Sequence, residues 1–587
     1  MNAPRRDPSD NLDQLRRSAA HLACAAIRQV FPEAVIATGS AVENGFQCDI
    51  DLPHSLTPDD LGRIDERMLD LQRQNEPFLR EIVSRDEALR RLAGNAYAVE
   101  IVDRMPPGEP ITLVGIGNSV AVVEGSVVTA AGEIGPFRLQ QVSGAYWRGD
   151  ERRPMLQRIH GTVWPTQHEL DEHLERIEEA KRRDHRRLGR ELGLFFTHAT
   201  APGMPYWLPK GVTLLDQLLA FWRAEHRAAG YLEVATPILN KKELYETSGH
   251  WEHYRDDMFR MAIDDGELYA LKPMNCPNAM VIFGSTRRSY RELPLRLAEL
   301  SPLHRSELSG TLNGLFRARE FRQDDAHIFL APDQVLDEFG RVLALVDRVY
   351  TTFGLDYRFR LGTRPDDFMG DIASWNEAET ILEQVLRDSG RDFWIADGDG
   401  AFYGPKIDIL MRDSLGREWQ MGTIQLDFQT PRRFELVYAA ADGSLHTPIV
   451  VHRAIFGSIE RFVGILIEHL NGTFPAWLAP VQAIVIPVTD RQADYAGAVA
   501  DRLCELGMRV EVDRSNARMQ AKIRATQLQN VPWMLIVGKR EVEAGTVSVR
   551  PRSGDDLGAM PVDAFLDLAR DVIAARSLEL TPSPDAA

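Results

Sequence analysis

Apolar residues recur at helical spacing over residues 15–30 and again near 61–74, with short alternating stretches such as GFQCDIDL between them. This pattern predicts a mixed α/β region reaching to about residue 164. Residues 166–194 then read as a charged helical connector, where Leu170, Leu174, Ile177 and Leu188 form a stripe among Glu, Lys and Arg. Its KRRDHRR run could touch RNA phosphate, but a solvated helix face is the simpler reading. Alternation at 293–300 and 327–330 predicts strands, with SGTLNG as a loop between them. From residue 481 the pattern becomes alternating strand and helix: VQAIVIPV, a helix over 493–506, RVEVD, a helix over 517–528, VPWMLIVG, TVSVRPR and a last helix over 562–575. That alternation predicts a compact α/β domain.

Residues 271–330 gather a cysteine, a histidine, paired acids and several arginines between short apolar runs. If Arg305 and Glu307 sit two apart on one strand, they face the same side. An arginine is a fixed cation suited to a phosphate oxygen, and a nearby carboxylate can accept from an exocyclic amine. Phe321 could stack on a flat ring, with Gln323 and Asp325 alternating onto one face after it. A surface strand pair with solvated ions would have the same periodicity. Cys276, His327 and His452 are far apart in sequence and lack the short loops of structural zinc sites, and a lone cysteine in an apolar setting is usually core.

Composition narrows the setting. A chain of 587 residues has room for roughly three or four domains. Its 44% apolar and 26% charged content is ordinary for a globular chain. Cys24, Cys48, Cys276 and Cys504 are too scattered for a disulfide framework, which predicts a reducing, cytoplasmic setting. The charged N-terminus and the lack of a long apolar run predict neither a signal peptide nor a membrane span. A net charge of −18 argues against a generally basic nucleic-acid binder but leaves room for a local cationic surface.

Several ordered motifs together resemble one family: KPMNCP, SYRELPLRLAE, Arg305-Ser306-Glu307, SGTL, FRQDDAHIF, GAFYGPKID, GTIQLDF and HRAIFGSIERFVGILIEH. They resemble the threonyl-tRNA synthetases, which are class II aminoacyl-tRNA synthetases. The resemblance implies an α/β multidomain chain with a class II antiparallel-sheet catalytic core, an α/β anticodon-binding domain and an α+β editing-like N-terminal domain. The expected bounds are 1–165 for the editing-like domain, 166–194 for the linker, 195–480 for the catalytic domain and 481–587 for the anticodon-binding domain. It implies ATP-dependent activation of threonine to threonyl-adenylate and its transfer to tRNA(Thr), in a homodimer whose interface is built around GYLEVATPIL, a helix and strand ending at Pro237.

Site residues follow by the same resemblance. Arg305, Arg461, His250 and Lys406 are expected in catalysis, with His250 of SGHW helping to deprotonate the terminal 2′-hydroxyl of tRNA. Arg305, Glu307, Arg317, Phe321, Gln420, Thr423 and Arg461 are expected on ATP and its Mg2+. Met274, Gln323, Asp325, Tyr403 and Gln425 are expected around threonine. Cys276, His327 and His452 are expected to hold one zinc ion per subunit, leaving a position open for substrate. Asn516, Glu541 and Arg550 are expected to read unpaired anticodon bases.

The chain also departs from the family. Pro277-Asn278-Ala279 replaces Pro-Gly-His, Asn313 replaces a histidine, Glu320 replaces a glycine beside Phe321, and Met421 replaces a smaller residue expected near the amino-acid pocket. YWRGD and MLQRIHGTVW resemble the end of the family's editing domain. Its His-x-x-x-His pair is Arg17 and His21 here, and its Cys-x-x-x-His pair has no counterpart in VVEGSVVTAAGE. We therefore expect an editing fold without proofreading of seryl-tRNA, no preceding ubiquitin-like domain, and a reduced second or inhibitor-resistant copy rather than a complete housekeeping enzyme. Two rivals remain: a threonine-adenylating paralogue serving a biosynthetic pathway, and a non-catalytic tRNA-binding paralogue.

Overall fold

The computed structural model describes residues 8–581 apart from 151, 264–265, 414 and 555. The outermost residues of the expected first and last domains therefore lie outside the described residues. The chain divides into two compact units, Met1–Glu178 and Glu179–Ala587. The division falls inside the helix Gln167–Arg183, and the expected catalytic and anticodon-binding segments share the second unit.

In the first unit the helix Pro8–Val30 lies on a four-stranded antiparallel sheet, ordered Val35–Val42, Gly45–Asp51, Met155–Val163, Phe137–Tyr146. The contact face of the helix is largely alanine, and Ala19, Ala23 and Ala26 are fully buried with Phe46 and Ile159. The helix Pro58–Arg73 begins at Thr57, whose hydroxyl accepts from the Asp60 N–H in a capping box.

In the second unit, among the described residues, an eight-stranded sheet runs in the order Leu232–Glu233, Leu295–Glu299, Asp325–Leu330, Ile449–Ala454, Glu418–Asp427, Lys406–Arg412, Tyr357–Gly362, Phe393–Ala396. It is antiparallel except at its two edges. Asp325–Leu330 and Ile449–Ala454 are buried along their whole length, because both faces are covered. Ile328 and Leu330 join Phe339, Val342 and Val346 of the helix Val335–Thr352. Phe329 and Val450 join Phe283 of the helix Cys276–Gly284 on the other face. The C-terminal portion is a five-stranded sheet with the helices Ala493–Glu505, Met519–Leu528 and Val562–Ala574, as its alternation predicts.

Three expectations need correction. The strand Pro302–His304 ends before Arg305, and the Glu307 N–H turns back onto the Arg305 carbonyl at 2.9 Å, so Arg305 and Glu307 share a tight turn and not a strand face. GYLEVATPIL supplies the two-residue strand Leu232–Glu233 and the first residue of the strand Leu239–Lys241, and Pro237 between them lies in irregular chain. KRRDHRR is not one solvated face: Asp184 caps a new helix, His185–Glu191, and His185 is 1% exposed.

The end of the strand Leu295–Glu299 is fixed by a buried ion pair. Lys272 Nζ lies 2.8 Å from Glu299 Oε1 and 2.9 Å from Thr236 Oγ1, and both charged side chains are almost fully buried. Removing one partner strands the other charge away from water. Lys272→Met is expected to destabilise this unit by about 3–5 kcal/mol, and the double change Lys272→Met with Glu299→Leu by clearly less. Denaturant midpoints measure both. Equal losses would show that the unpaired carboxylate is not what costs stability.

Candidate active site

Strand register places His327 directly opposite His452, and His452 opposite Gln425. Cys276, at the first turn of its helix, comes up beneath them. One ligand atom from each of Cys276, His327 and His452 lies within 4.8 Å of the other two, and all three residues are buried. Asp427 Oδ2 is 2.8 Å from His452 Nε2, leaving Nδ1 buried with no hydrogen-bond partner among the described residues. Burial, with His452 and Arg453 nearby, holds the His327 imidazole far below its usual range, in the neutral form that binds metals. Burial also works against a charge on His452, but Cys276 and Asp427 outweigh it and raise its pKa to about 10, and a cation bound between Cys276 and the two imidazoles would displace that proton. An orphaned ring nitrogen facing a thiol and a second imidazole is a donor set suited to a tetrahedral N/S metal site with one open position.

This cluster lies in the wall of a cavity of about 460 Å3. All five residues expected around threonine line it: Met274, Gln323, Asp325, Tyr403 and Gln425. The Tyr403 hydroxyl donates to the Gln425 carbonyl oxygen. Burial pushes the Asp325 carboxyl up to about 6, although Asn275 donates to it at 2.8 Å and Arg305 lies nearby.

A second cavity of about 250 Å3 adjoins the first. Every residue expected on ATP lines it, namely Arg305, Glu307, Arg317, Phe321, Gln420, Thr423 and Arg461. Arg305, Gln323, Gln420 and Thr423 line both cavities. The Arg305 guanidinium sits 5.1 Å from the Phe321 ring centroid, Arg317 Nε donates to Glu307 at 2.8 Å, and Arg461 Nε donates to the Phe316 carbonyl at 3.0 Å. Burial lowers the Arg461 pKa, and the charges of Arg305 and Arg317 lower it further. Three cations held this closely form a site for a polyanion.

Other expected residues lie elsewhere. His250 is buried in a short helix and does not line either cavity; its Nδ1 is 2.8 Å from Ser248 Oγ and its Nε2 has no partner among the described residues. Burial lowers its pKa to about 4, so it is uncharged near neutral pH. Lys406 also lies outside both cavity walls, paired with Asp408 at 3.0 Å and Asp399 at 3.3 Å. Glu320 points away from the phosphate side: it faces His304 across the strand pair, 3.4 Å from Nε2, because alternation along Glu320–Arg322 sends only Phe321 to the cavity. Met421 lines the smaller, arginine-rich cavity, not the larger one lined by the residues expected around threonine. Asn278 is buried, and Asn313 closes the turn to Arg317. In the C-terminal domain Asn516 and Arg550 are exposed, Arg550 pairing with Asp556 at 3.0 Å, and Glu541 accepts from the Gly538 N–H at 2.8 Å.

In the first unit Arg17 Nη1 donates to the Ser126 carbonyl at 2.8 Å, filling the space between helix and loop. His21 is buried, and burial together with Arg17 lowers its pKa to about 4. The neighbouring loop is tied to the same helix by Gln14 to the Val127 carbonyl and by the Val128 N–H to Ser18.

Two acids in the catalytic sheet escape motif reading. Asp408, fully buried, accepts from Gln420 Nε2 at 2.7 Å and Thr423 Oγ1 at 3.1 Å. Asp427, also fully buried, orients His452. Both lie inside motifs that carry the resemblance, GAFYGPKID and GTIQLDF, but neither was among the expected site residues.

The family model described as the tRNA synthetase class II core domain (G, H, P, S and T) matches residues 259–470, and that for the anticodon binding domain matches 482–571. The threonine–tRNA ligase of Syntrophomonas wolfei is 47% identical over 94% of this chain and 87% of its own length. That of Clostridioides difficile is 45% identical over 98% of this chain and 91% of its own. A crystal structure titled as the RNA binding domain of threonyl-tRNA synthetase from Cryptosporidium parvum superposes with a TM-score of 0.64 at 41% identity, covering 66% of this chain and 98% of that one. No helix among the described residues is long and apolar enough to cross a membrane.

The role of Asp427 is open to direct measurement. On the reading that this cluster binds zinc, Asp427→Asn is expected to lower the affinity for added zinc by about 10- to 100-fold, read by competition with a chromophoric chelator. Unchanged retention would show that His452 needs no such partner.

Proposed function

We propose how the work is divided within a chain that belongs to the threonine–tRNA ligases and catalyses ATP-dependent synthesis of threonyl-tRNA from threonine and tRNA(Thr). The observation that carries the reading is the shared wall of the two cavities, since ligands held on either side meet at Arg305. Threonine occupies the larger cavity and ATP the smaller. Attack of the threonine carboxylate on the α-phosphate brings like charges together, and Arg305 at the junction offsets that repulsion while Arg317 and Arg461 hold the distal phosphates. Glu307 and Phe321 hold the adenine, and Gln420 and Thr423, braced by Asp408, complete the ATP side. Mg2+ enters with the nucleotide.

Cys276, His327 and His452 would hold zinc, which when bound supplies a Lewis-acid centre for the amino and hydroxyl groups of threonine. Asp325 accepts from the hydroxyl, so valine, which lacks it, leaves a buried acceptor unpaired and is rejected. Tyr403, Gln425, Met274 and Gln323 enclose the rest. His250 keeps the role the resemblance assigns it, helping to deprotonate the terminal 2′-hydroxyl of tRNA; its Nε2 is buried and has no partner among the described residues, so it acts from behind the cavity wall and not at the hydroxyl itself. Lys406 acts from behind the site through Asp408. Exposed Leu232, Ile238 and Leu239 support a homodimer interface around the first class II signature. The cysteines are free, in keeping with a cytoplasmic enzyme.

Asn516, Glu541 and Arg550 read the anticodon, supported by the polar, exposed setting of Asn516 and Arg550. Arg550→Ala is expected to reduce charging of tRNA(Thr) by about tenfold or more while leaving threonine-dependent pyrophosphate exchange unchanged. A parallel fall in exchange would make Arg550 a structural residue.

Proofreading is absent in this proposal. Serine carries the amino and hydroxyl groups that the site recognises and lacks one methyl, a difference worth only about 10–200-fold in discrimination. What supports this is the residues themselves: Arg17, which donates to the Ser126 carbonyl, replaces one histidine of the expected pair, and the remaining His21 is buried. The enzyme is expected to form seryl-tRNA(Thr) and to leave it intact, followed as ester loss from preformed seryl-tRNA. Hydrolysis clearly above the buffer rate would refute a silent editing domain.

A further inference from the structure

Behind the arginine-rich cavity lies a buried polar cluster that the division of labour above does not use. Asp184, His185 and Glu468 bring metal-ligand-type atoms together, but both imidazole nitrogens are already engaged. His185 Nδ1 is 2.7 Å from Glu468 Oε1, which also accepts the His185 backbone N–H at 3.0 Å. His185 Nε2 accepts the Leu315 N–H at 3.0 Å. These two bonds fix the neutral tautomer, with the proton on Nδ1. Glu468 stays charged despite burial, because His185 and Arg417 both donate to it, and Arg417 is in turn held by Asp413 at 2.6 Å.

The Leu315 end of this relay belongs to the turn that carries the cationic wall. The Phe316 N–H donates to the Asn313 carbonyl at 2.9 Å, and the Asn313 N–H to the Arg317 carbonyl at 3.2 Å. The Phe316 ring lies 4.0 Å from the His185 ring and 4.5 Å from Trp419, and its carbonyl receives Arg461. Gly314, at φ +51°, passes so close that a Cβ there would meet His185 Nε2 at 2.3 Å. The turn is thus both packed against and bonded to the imidazole at one nitrogen, Nε2.

We infer that His185, held by Glu468 and Arg417, is a positioning residue for the nucleotide: it sets the 313–317 turn so that Phe316 and Arg317 form the cavity wall and the Phe316 carbonyl orients Arg461. Because it acts through the turn, it governs ATP and not threonine, whose cavity shares neither Phe316, Arg317 nor Arg461. The inference rests on the assignment of the smaller cavity to ATP.

The test measures threonine-dependent pyrophosphate exchange on the full-length enzyme. His185→Asn keeps a donor for Glu468 and loses the Nε2 acceptor; His185→Gln can restore an acceptor at that reach. His185→Asn is expected to raise KM for ATP by about tenfold, the effect of losing one buried hydrogen bond, with KM for threonine unchanged and recovery in His185→Gln. Gly314→Ala, approaching the same contact from the loop, is expected to give the same selective defect. An unchanged KM for ATP in His185→Asn and Gly314→Ala, or an equal rise for threonine and ATP, would overturn the inference. Arg317→Ala separates the two layers. If it raises KM for ATP while the His185 and Gly314 variants do not, the positioning role alone fails. If Arg317→Ala has no effect, the nucleotide assignment fails and the positioning role falls with it.

Discussion

The register of the central antiparallel strands is the constraint on which the site depends. His327 lies opposite His452, and on the other edge of the His327 strand the pairing with Leu295–Glu299 sets Glu299 opposite Asp325. A slip of one residue would turn each of these side chains to the other face. Because both strands are buried on both faces, apolar patterning alone distinguishes the two registers weakly. Polar bonds supply the missing discrimination: Asp427 to His452, Asn275 to Asp325, and Asp324 accepting the Ile455 and Gly457 N–H groups at 3.0 Å. Each of these would be broken by a slip, and a buried polar group without a partner is expensive.

Charge is arranged on the same principle. The chain carries a net −18, yet its smaller cavity gathers Arg305, Arg317 and Arg461 against one paired acid, Glu307. The balancing carboxylates are set back from the cavity surface. Asp408 braces Gln420 and Thr423, and Glu468 reaches the arginine wall only through His185 and a backbone N–H. The acids are thereby used for orientation, while the face open to a ligand stays cationic.

Much of this was legible from the residues. Helical spacing gave the helices Pro8–Val30 and Pro58–Arg73, and the switch to alternating strand and helix gave the C-terminal sheet. The residues the resemblance expects around threonine and ATP line two adjoining cavities. It did not reach contacts made by residues far apart in sequence. His185 reads as one basic-run residue among several until Glu468 and Leu315 fold around it. The two-residue spacing of Arg305 and Glu307 suits a strand, but a local turn competes and wins. For Glu320, strand alternation was the deciding fact: its neighbour Phe321 takes the cavity side, so the carboxylate meets His304.

The wall shared by the two cavities has a thermodynamic consequence. Arg305, Gln323, Gln420 and Thr423 face both, so a ligand on one side alters the orientation and solvation of groups the other ligand must use. With threonine and ATP assigned to the two cavities as proposed, linkage makes any such effect mutual: whatever factor threonine imposes on the affinity for ATP, ATP imposes on the affinity for threonine. Evolution therefore cannot retune one substrate's grip at these four positions in isolation. Independent adjustment is confined to residues that touch a single cavity, with Tyr403 and Gln425 on one side and Phe321 and Arg461 on the other.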